Sequence, residues 1–75
     1  MNALSPDRVE KLVAEITRYL AANPKASDTV VGIQQSWLAG VDATPLEVSA
    51  ALEHLVRLGR VERVSQSSVT VFRAH

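Results

Sequence analysis

The stretch TPLEVSAALEHLVRLG, residues 44–59, predicts a well-delimited helix and decides how the rest of the chain is interpreted. Pro45 fits the first helical turn, and Glu47 follows Thr44 at the spacing of a capping box. In such a box the Thr44 side chain accepts a hydrogen bond from the Glu47 amide, and the Glu47 carboxylate accepts one from the Thr44 amide. Gly59 readily adopts the left-handed conformation that ends helices. We therefore expect a helix that begins at Thr44 and ends before Gly59.

Apolar residues recur at helical spacing within this stretch and define its buried side. Val48, Leu52 and Leu55 form one edge, which is expected to pack on the preceding helices. A helix turns by about 100° per residue, so Leu46 and Ala50 lie nearly opposite that edge. The sequence therefore predicts an exposed apolar residue, Leu46, on the outward side of this helix.

A first helix is expected from about Pro6 to Ala22. Ser5 is suited to cap it, Pro6 fits its first turn, and apolar residues then follow at three- and four-residue steps. These apolar residues are Val9, Leu12, Val13, Ile16 and Leu20. Asn23-Pro24 ends the helix, because proline disfavours helical geometry in the residue before it.

A second helix is expected over residues 29–39, with Ser27 or Asp28 as its cap and Gly40 closing it. β-Branched residues and a glycine occupy its first turn, so its own helix propensity is weak and tertiary packing must hold it. A short strand over residues 25–27 is an alternative element in front of this helix.

The C-terminal part predicts a β-hairpin. Residues 61–64 and 69–72 are rich in β-forming side chains and surround the polar tip, residues 65–68. The tip contains no glycine, which argues against a two-residue turn and favours a longer loop. Val61 and Val64 differ in parity along the first strand, which indicates a bulge or a short strand.

Length and composition set the class of protein. Seventy-five residues with 47% hydrophobic side chains correspond to one folded domain, with an ordered core expected over about residues 5–73. The chain contains no cysteine, and its eight basic residues balance eight acidic ones. No secretory signal and no apolar run of the roughly 18–20 residues that span a bilayer are seen, so a cytoplasmic protein without a membrane partner is expected. Any affinity for nucleic acid must come from uneven placement of charge.

The order of helix, helix, tight turn, capped helix, glycine and hairpin resembles the winged helix-turn-helix family. The likeness covers roughly residues 5–73, and residues 43–61 carry most of it through the cap, the Val48, Leu52 and Leu55 spine and Gly59. The resemblance implies an α+β fold over residues 1–75, in which three helices are followed by a two-stranded antiparallel wing. These residues are mainly core and cap, so they specify a fold better than a function.

Family members that bind DNA place the third helix in the major groove and let the wing touch the backbone. The resemblance therefore implies groove-facing positions at Thr44, Leu46, Glu47, Ser49, Ala50, Glu53, His54 and Arg57. Bases are usually read by Arg, Lys, Asn or Gln, and none of these types occurs between residues 44 and 54. Glu47 and Glu53 would instead approach phosphates. Glu47 has a role in the cap, but Glu53 has none.

In contrast to the acidic residues of the third helix, the end of that helix and the hairpin are rich in arginine. Half of the basic residues cluster at the end of the third helix and in the hairpin, namely Arg57, Arg60, Arg63 and Arg73. At the tip, Gln66, Ser67 and the neighbouring serines offer amide and hydroxyl groups to phosphate. Three or four neutralised phosphates would give a salt slope of about −3 to −4 on logarithmic axes, which corresponds to weak and mostly non-specific binding.

Two functions therefore stay open. One is a small DNA-binding regulator, which the resemblance slightly favours. The other is a protein-interaction module or homodimer, which the zero net charge and the outward Leu46 favour. The same residues also have plain structural interpretations: the arginines as solvated surface residues, His54 as an exposed helix residue, and Trp37 as part of the core.

No catalytic or metal-binding pattern stands out. His54 and His75 are the only imidazoles, and with no cysteine or adjacent carboxylates they complete no ligand set. The three glycines are isolated and form no phosphate-binding loop, and a domain this small has little room for a concave pocket. We expect no enzymatic activity, no cofactor and no small-molecule substrate.

Overall fold

The computed structural model describes residues 5–75, so residues 1–4 of the expected domain lie outside the described part. The elements in chain order are α1 (Pro6–Ala22), β1 (Ser27–Asp28), α2 (Val30–Gly32, continued by a π-helical turn, Ile33–Trp37), α3 (Pro45–Arg57), β2 (Val61–Gln66) and β3 (Val69–Ala74). The strands form one antiparallel sheet in the order β1-β3-β2. The result is an α+β domain of three helices and a three-stranded sheet.

Helix α1 has the bounds that the sequence predicts, but its start differs in one detail. Ser5 adopts an extended conformation and its side chain makes no capping hydrogen bond, so the expected side-chain cap is wrong. The Ser5 carbonyl still accepts the first hydrogen bond of the helix, from Val9 N–H at 3.0 Å. At the other end, both the backbone and side-chain amides of Asn23 donate to the Tyr19 carbonyl, at 2.8 and 3.0 Å.

Helix α2 is capped by Thr29, neither by Ser27 nor by Asp28. The Thr29 hydroxyl accepts from Gly32 N–H at 3.1 Å, while Asp28 accepts from Thr29 N–H at 2.8 Å. The helix then widens into the π turn, in which Leu38 N–H donates to the Ile33 carbonyl at 3.0 Å. The helix therefore ends at Trp37, before the expected residue 39. Weak helix propensity allows this distortion, and burial of Ile33 and Trp37 stabilises it.

The sheet has three strands, and the expected two-stranded arrangement is wrong. Ser27 pairs with Arg73 and Asp28 pairs with Phe72, so β1 lies along the edge of β3 that is not paired with β2. This pairing is possible because β3 extends past Phe72 to Ala74. The edge of β3 that does not face β2 is therefore available to the segment that follows α1. A strand of two residues carries no periodicity, which is why only its approximate place, residues 25–27, was indicated by the sequence.

The hairpin of β2 and β3 is longer and tighter than expected. Its register runs without interruption from Val61 opposite Ala74 to Gln66 opposite Val69, so the strand contains no bulge. The turn consists of two residues only, and the expected longer loop is wrong. Ser67 adopts a φ of 57°, the left-handed conformation that a glycine was expected to supply. This conformation has a modest steric cost for serine, and the continuous backbone hydrogen bonds between β2 and β3 offset that cost.

The core lies between the helices and one face of the sheet. Val48, Leu52 and Leu55 of α3 are buried as the sequence predicts. Trp37 is also in the core, where its ring stacks on Tyr19 of α1 with centroids 5.0 Å apart. Within residues 5–75, no helix combines the length and apolar character that a membrane-spanning segment requires.

Candidate binding surface

The start of α3 is fixed by the capping box that its sequence predicts. The Thr44 hydroxyl accepts from Glu47 N–H at 3.2 Å, and the Glu47 carboxylate accepts from Thr44 N–H at 3.0 Å. A further hydrogen bond holds the residue before the cap: the side-chain N–H of Gln34 in α2 donates to the Ala43 carbonyl at 2.7 Å. The N-terminal end of α3 is thus tied both to itself and to the preceding helix.

Glu47 is also the buried partner of an ion pair with the exposed Arg8 of α1. Its residue is only 5% exposed, and Arg8 donates to its two carboxylate oxygens, through Nε at 2.6 Å and through Nη2 at 3.1 Å. The hydrogen bond from Arg8, followed by that from the Thr44 backbone, lowers the pKa of Glu47 below its usual value. The same hydrogen bond with Glu47 raises the pKa of Arg8. Arg8 also donates to the Asp42 carbonyl at 2.7 Å.

This burial removes Glu47 from the surface on which the resemblance placed it. Its carboxylate is fully engaged by Thr44 and Arg8, so it offers nothing to an external partner. Arg8 was not singled out by the sequence, because it lies 39 residues before Glu47 and only the fold brings the two together. An arginine in the first turn of α1 has no local feature that marks it as a partner.

The remaining positions on the outward side of α3 lie together, and we call them the α3 face: Leu46, Ser49, Ala50, Glu53, His54 and Arg57. Leu46 is 57% exposed and His54 and Arg57 are exposed, while the three others are half-buried. Helical rotation places five of them on the side opposite Val48, Leu52 and Leu55, and Ser49 at the flank of that side. Thr44 is exposed at the start of the helix, although its hydroxyl is used by the cap.

Glu53, at the centre of the α3 face, is held by the hairpin. Arg63 of β2 donates through Nη2 to the Glu53 carboxylate at 2.8 Å. Arg73 of β3 makes a comparable ion pair with Glu62 of β2, at 2.5 Å. Two of the four clustered arginines therefore have their charge balanced by an acid of the same chain.

The sheet register separates the arginines further. Residues paired across strands share a face, and neighbours along one strand alternate between faces. Arg63 pairs with the buried Phe72 and lies on the helix-facing side, whereas Arg73 pairs with Glu62 and lies on the outer side. The four arginines thus form no continuous positive strip. The sequence alone could not show this, because it depends on the register of the hairpin.

Arg57 and Arg60 differ from the other two. Among residues 5–75, neither forms an ion pair or a side-chain hydrogen bond with the protein. Arg57 is the last residue of α3 and of the α3 face, and Arg60 follows it just before β2, so the unbalanced cations lie at the C-terminal end of the helix. Gln66 and Ser67 are exposed at the tip of the hairpin.

No group of three metal-ligating side chains comes together within residues 5–75. A surface cavity of about 440 Å³ lies beside the Arg8–Glu47 pair. It is lined by Arg8, Lys11, Leu12, Glu15, Gly40, Val41 and Asp42, a mixture of both charges and apolar groups. Nothing in that lining positions a nucleophile next to a base.

The chain matches no protein-family model, and no match was found among curated proteins or solved structures.

Proposed function

We propose that the chain is a winged-helix module that binds a protein partner through the α3 face. The observation that carries this proposal is the Glu53–Arg63 ion pair at the centre of that face. An acid in this position opposes a phosphate-lined groove, and its pairing with Arg63 balances the charge at the centre of the face. Protein interfaces are depleted of unbalanced charge at their centre and carry arginine more often than other surfaces, which matches this arrangement.

The chemistry of the α3 face defines the partner. Leu46, which is 57% exposed, and Ala50 offer an apolar patch without long side chains, so another helix or strand can approach closely. Arg57 and Arg60 then lie at one side of this patch and suit an acidic residue on the partner. The expected partner surface is therefore a shallow apolar groove with an acidic rim.

An arginine placed on the α3 face separates protein binding from DNA binding, because the two respond with opposite signs. Ala50→Arg adds bulk and charge at the centre of a protein contact, but adds a cation to any DNA contact. Ala21→Arg, on the exposed side of α1, adds the same charge away from the face and serves as the matched control. Circular dichroism and thermal unfolding establish that both variants fold.

The experiment is a comparative capture from extracts of cells that express the protein, followed by reconstitution. We expect a protein that wild type and Ala21→Arg retain and Ala50→Arg loses. The purified partner should then bind wild type at least ten-fold more tightly than Ala50→Arg. If Ala50→Arg loses no protein and binds mixed-sequence duplex DNA more tightly than Ala21→Arg does, the proposal is wrong.

A DNA-binding function is the second candidate, and the unpaired state of Arg57 and Arg60 is the observation that favours it. Two neutralised phosphates correspond to a salt slope of about −2, shallower than the four clustered arginines imply from sequence. A titration with duplex DNA at several salt concentrations measures that slope. A slope of about −3 or steeper would favour DNA over the protein partner.

A further inference from the structure

Strand β2 forms an open edge of the sheet. It lies outside β3 in the order β1-β3-β2, and on its far side no strand pairs with it among residues 5–75. His75 N–H donates to the Arg60 carbonyl at 3.1 Å, so Arg60 and His75 form a hydrogen-bonded pair of the hairpin. Hydrogen-bonded and non-hydrogen-bonded pairs alternate along antiparallel strands, so every second residue of β2 after Arg60 also bonds to β3. Glu62, Val64 and Gln66 therefore direct their backbone groups towards β3. Residues 61, 63 and 65 direct theirs outwards.

This edge lacks most of the features that usually prevent strand pairing. Open edges are commonly protected by proline, by charged side chains (lysine above all), by a bulge or by short length. Strand β2, VERVSQ, is six residues long, contains neither proline nor lysine, and keeps a continuous register with β3. Its two charged side chains are balanced within the chain, Glu62 by Arg73 and Arg63 by Glu53. By contrast, the opposite edge strand, β1, has only two residues.

We propose that a second copy of this chain pairs antiparallel with β2, with Val64 on the two-fold axis. In a symmetric antiparallel pair, outward-directed residues must meet outward-directed residues, which limits the axis to a few positions. An axis at Glu62 or at Arg63 places identical charges directly opposite each other, which destabilises the pair. An axis at Val64 avoids both contacts and pairs residues 62–66 of each copy.

The side chains are self-complementary in this register. Arg63 lies opposite Ser65 of the second copy, and Glu62 lies opposite its Gln66, so no like charges meet. Val64 and Val71 are paired neighbours on the outer face of the sheet, and both are half-buried. Joining the two edges brings the two Val64 side chains together and makes one row of four valines. Cross-strand pairs of β-branched residues are favourable contacts of this kind.

This association goes beyond the proposed function, because it is made by the backbone of the β2 edge and by Val64, none of which belongs to the α3 face. The Arg63 side chain remains directed towards Glu53, since side chains stand perpendicular to the backbone groups that pair. The proposal about the edge and the proposal about the face can therefore fail separately.

A single cysteine tests the register directly, because the chain has none of its own. Two residues on the axis form a non-hydrogen-bonded pair with Cα atoms about 4.5 Å apart, within the range that a disulfide spans. We expect Val64→Cys to form a covalent dimer under mild oxidation. Val69→Cys, on the same outer face but on the inner strand, is the matched control and should form it at least ten-fold more slowly. Equal rates for the two variants would overturn the proposal.

Sedimentation of the unmodified protein supplies the second readout. We expect a concentration-dependent dimer that Val64→Lys abolishes and that Ala21→Lys, the charge-matched control on α1, retains. Ala50→Arg should dimerise like wild type even where it loses the protein partner. A wild-type chain that stays monomeric at millimolar concentration would overturn the proposal. A dimer that persists in the Val64→Lys variant would also overturn the proposal.

Discussion

The third helix contributes a glutamate to two arginine–glutamate pairs, one at its N-terminal end and one in its interior, and the two pairs have different consequences. Arg8 and Glu47 meet at the N-terminal end, where the arginine side chain is 49% exposed but the glutamate side chain, which also serves the cap, is only 7% exposed. Arg63 and Glu53 meet further along the helix, where the side chains are 42% and 40% exposed. The first pair is part of how the domain folds. The second sets the charge of the α3 face and can be changed without unfolding the domain.

The largest expected effect comes from Glu47→Ala. This change removes the buried carboxylate that accepts from both the Thr44 amide and the Arg8 guanidinium, so the cap and the link to α1 are lost together. Urea unfolding should show a clear loss of stability, much greater than for Glu53→Ala. Arg8→Ala in the Glu47→Ala background should then cost little more, because the two residues act as one unit. Equal losses for Glu47→Ala and Glu53→Ala would contradict the distinction between the two pairs.

The pH dependence of stability is the next effect. The pKa of Glu47 is lowered in the folded chain by Arg8 and Thr44, so folding favours its ionised form. Its contribution is fully present above the ordinary glutamate value of 4.5 and is lost as the pH falls through the lowered pKa. The difference in unfolding free energy between wild type and Glu47→Gln should therefore shrink below about pH 4.5. A difference that grows on acidification would contradict this account.

A smaller effect is expected from Thr44→Ala. The variant loses the hydroxyl that accepts from Glu47 N–H but keeps the ion pair with Arg8. Removing such a cap costs about 1 kcal/mol. Thr44→Ser, which keeps the hydroxyl, is the matched control and should retain most of the stability. Chemical denaturation followed by circular dichroism measures both. If Thr44→Ser were as unstable as Thr44→Ala, the hydroxyl would not be the cause.

The smallest effect on stability is expected from Glu53→Ala. Exposed ion pairs contribute about 0–1 kcal/mol, so the variant should unfold nearly like wild type. Its binding should change more than its stability, because Arg63 becomes free to contact phosphate. The salt slope for mixed duplex DNA should steepen by about one unit. Glu53→Gln, which keeps the shape but removes the charge, should show the same change. An unchanged slope in both variants would show that Arg63 does not face DNA even when released.

Local signals in the sequence predicted the two long helices well. The bounds of α1 agree with its apolar spacing, and the capping box at Thr44 and Glu47 has both of its hydrogen bonds. These features depend on residues within one or two turns of each other, so the sequence contains all the information. The inward edge of α3 was predicted for the same reason.

Features that depend on distant contacts could not be predicted. The partner of Glu47 lies 39 residues away, and the third strand exists only because β3 offers it an edge. The π turn in α2 and the left-handed Ser67 are local distortions that packing and the hairpin ladder impose. The candidate surface was predicted least well, because the hairpin register decides which acids balance the charges of Arg63 and Arg73.

The most direct measurement is an NMR titration of the protein with mixed duplex DNA at low salt, followed through backbone amides. The ion pair across the α3 face should keep that face from entering a groove. We therefore expect small, fast-exchange shifts near Arg57 and Arg60 only, and none that saturate along residues 46–54. Saturating shifts throughout residues 46–57 would mean that DNA occupies the face and that the protein-binding account is wrong.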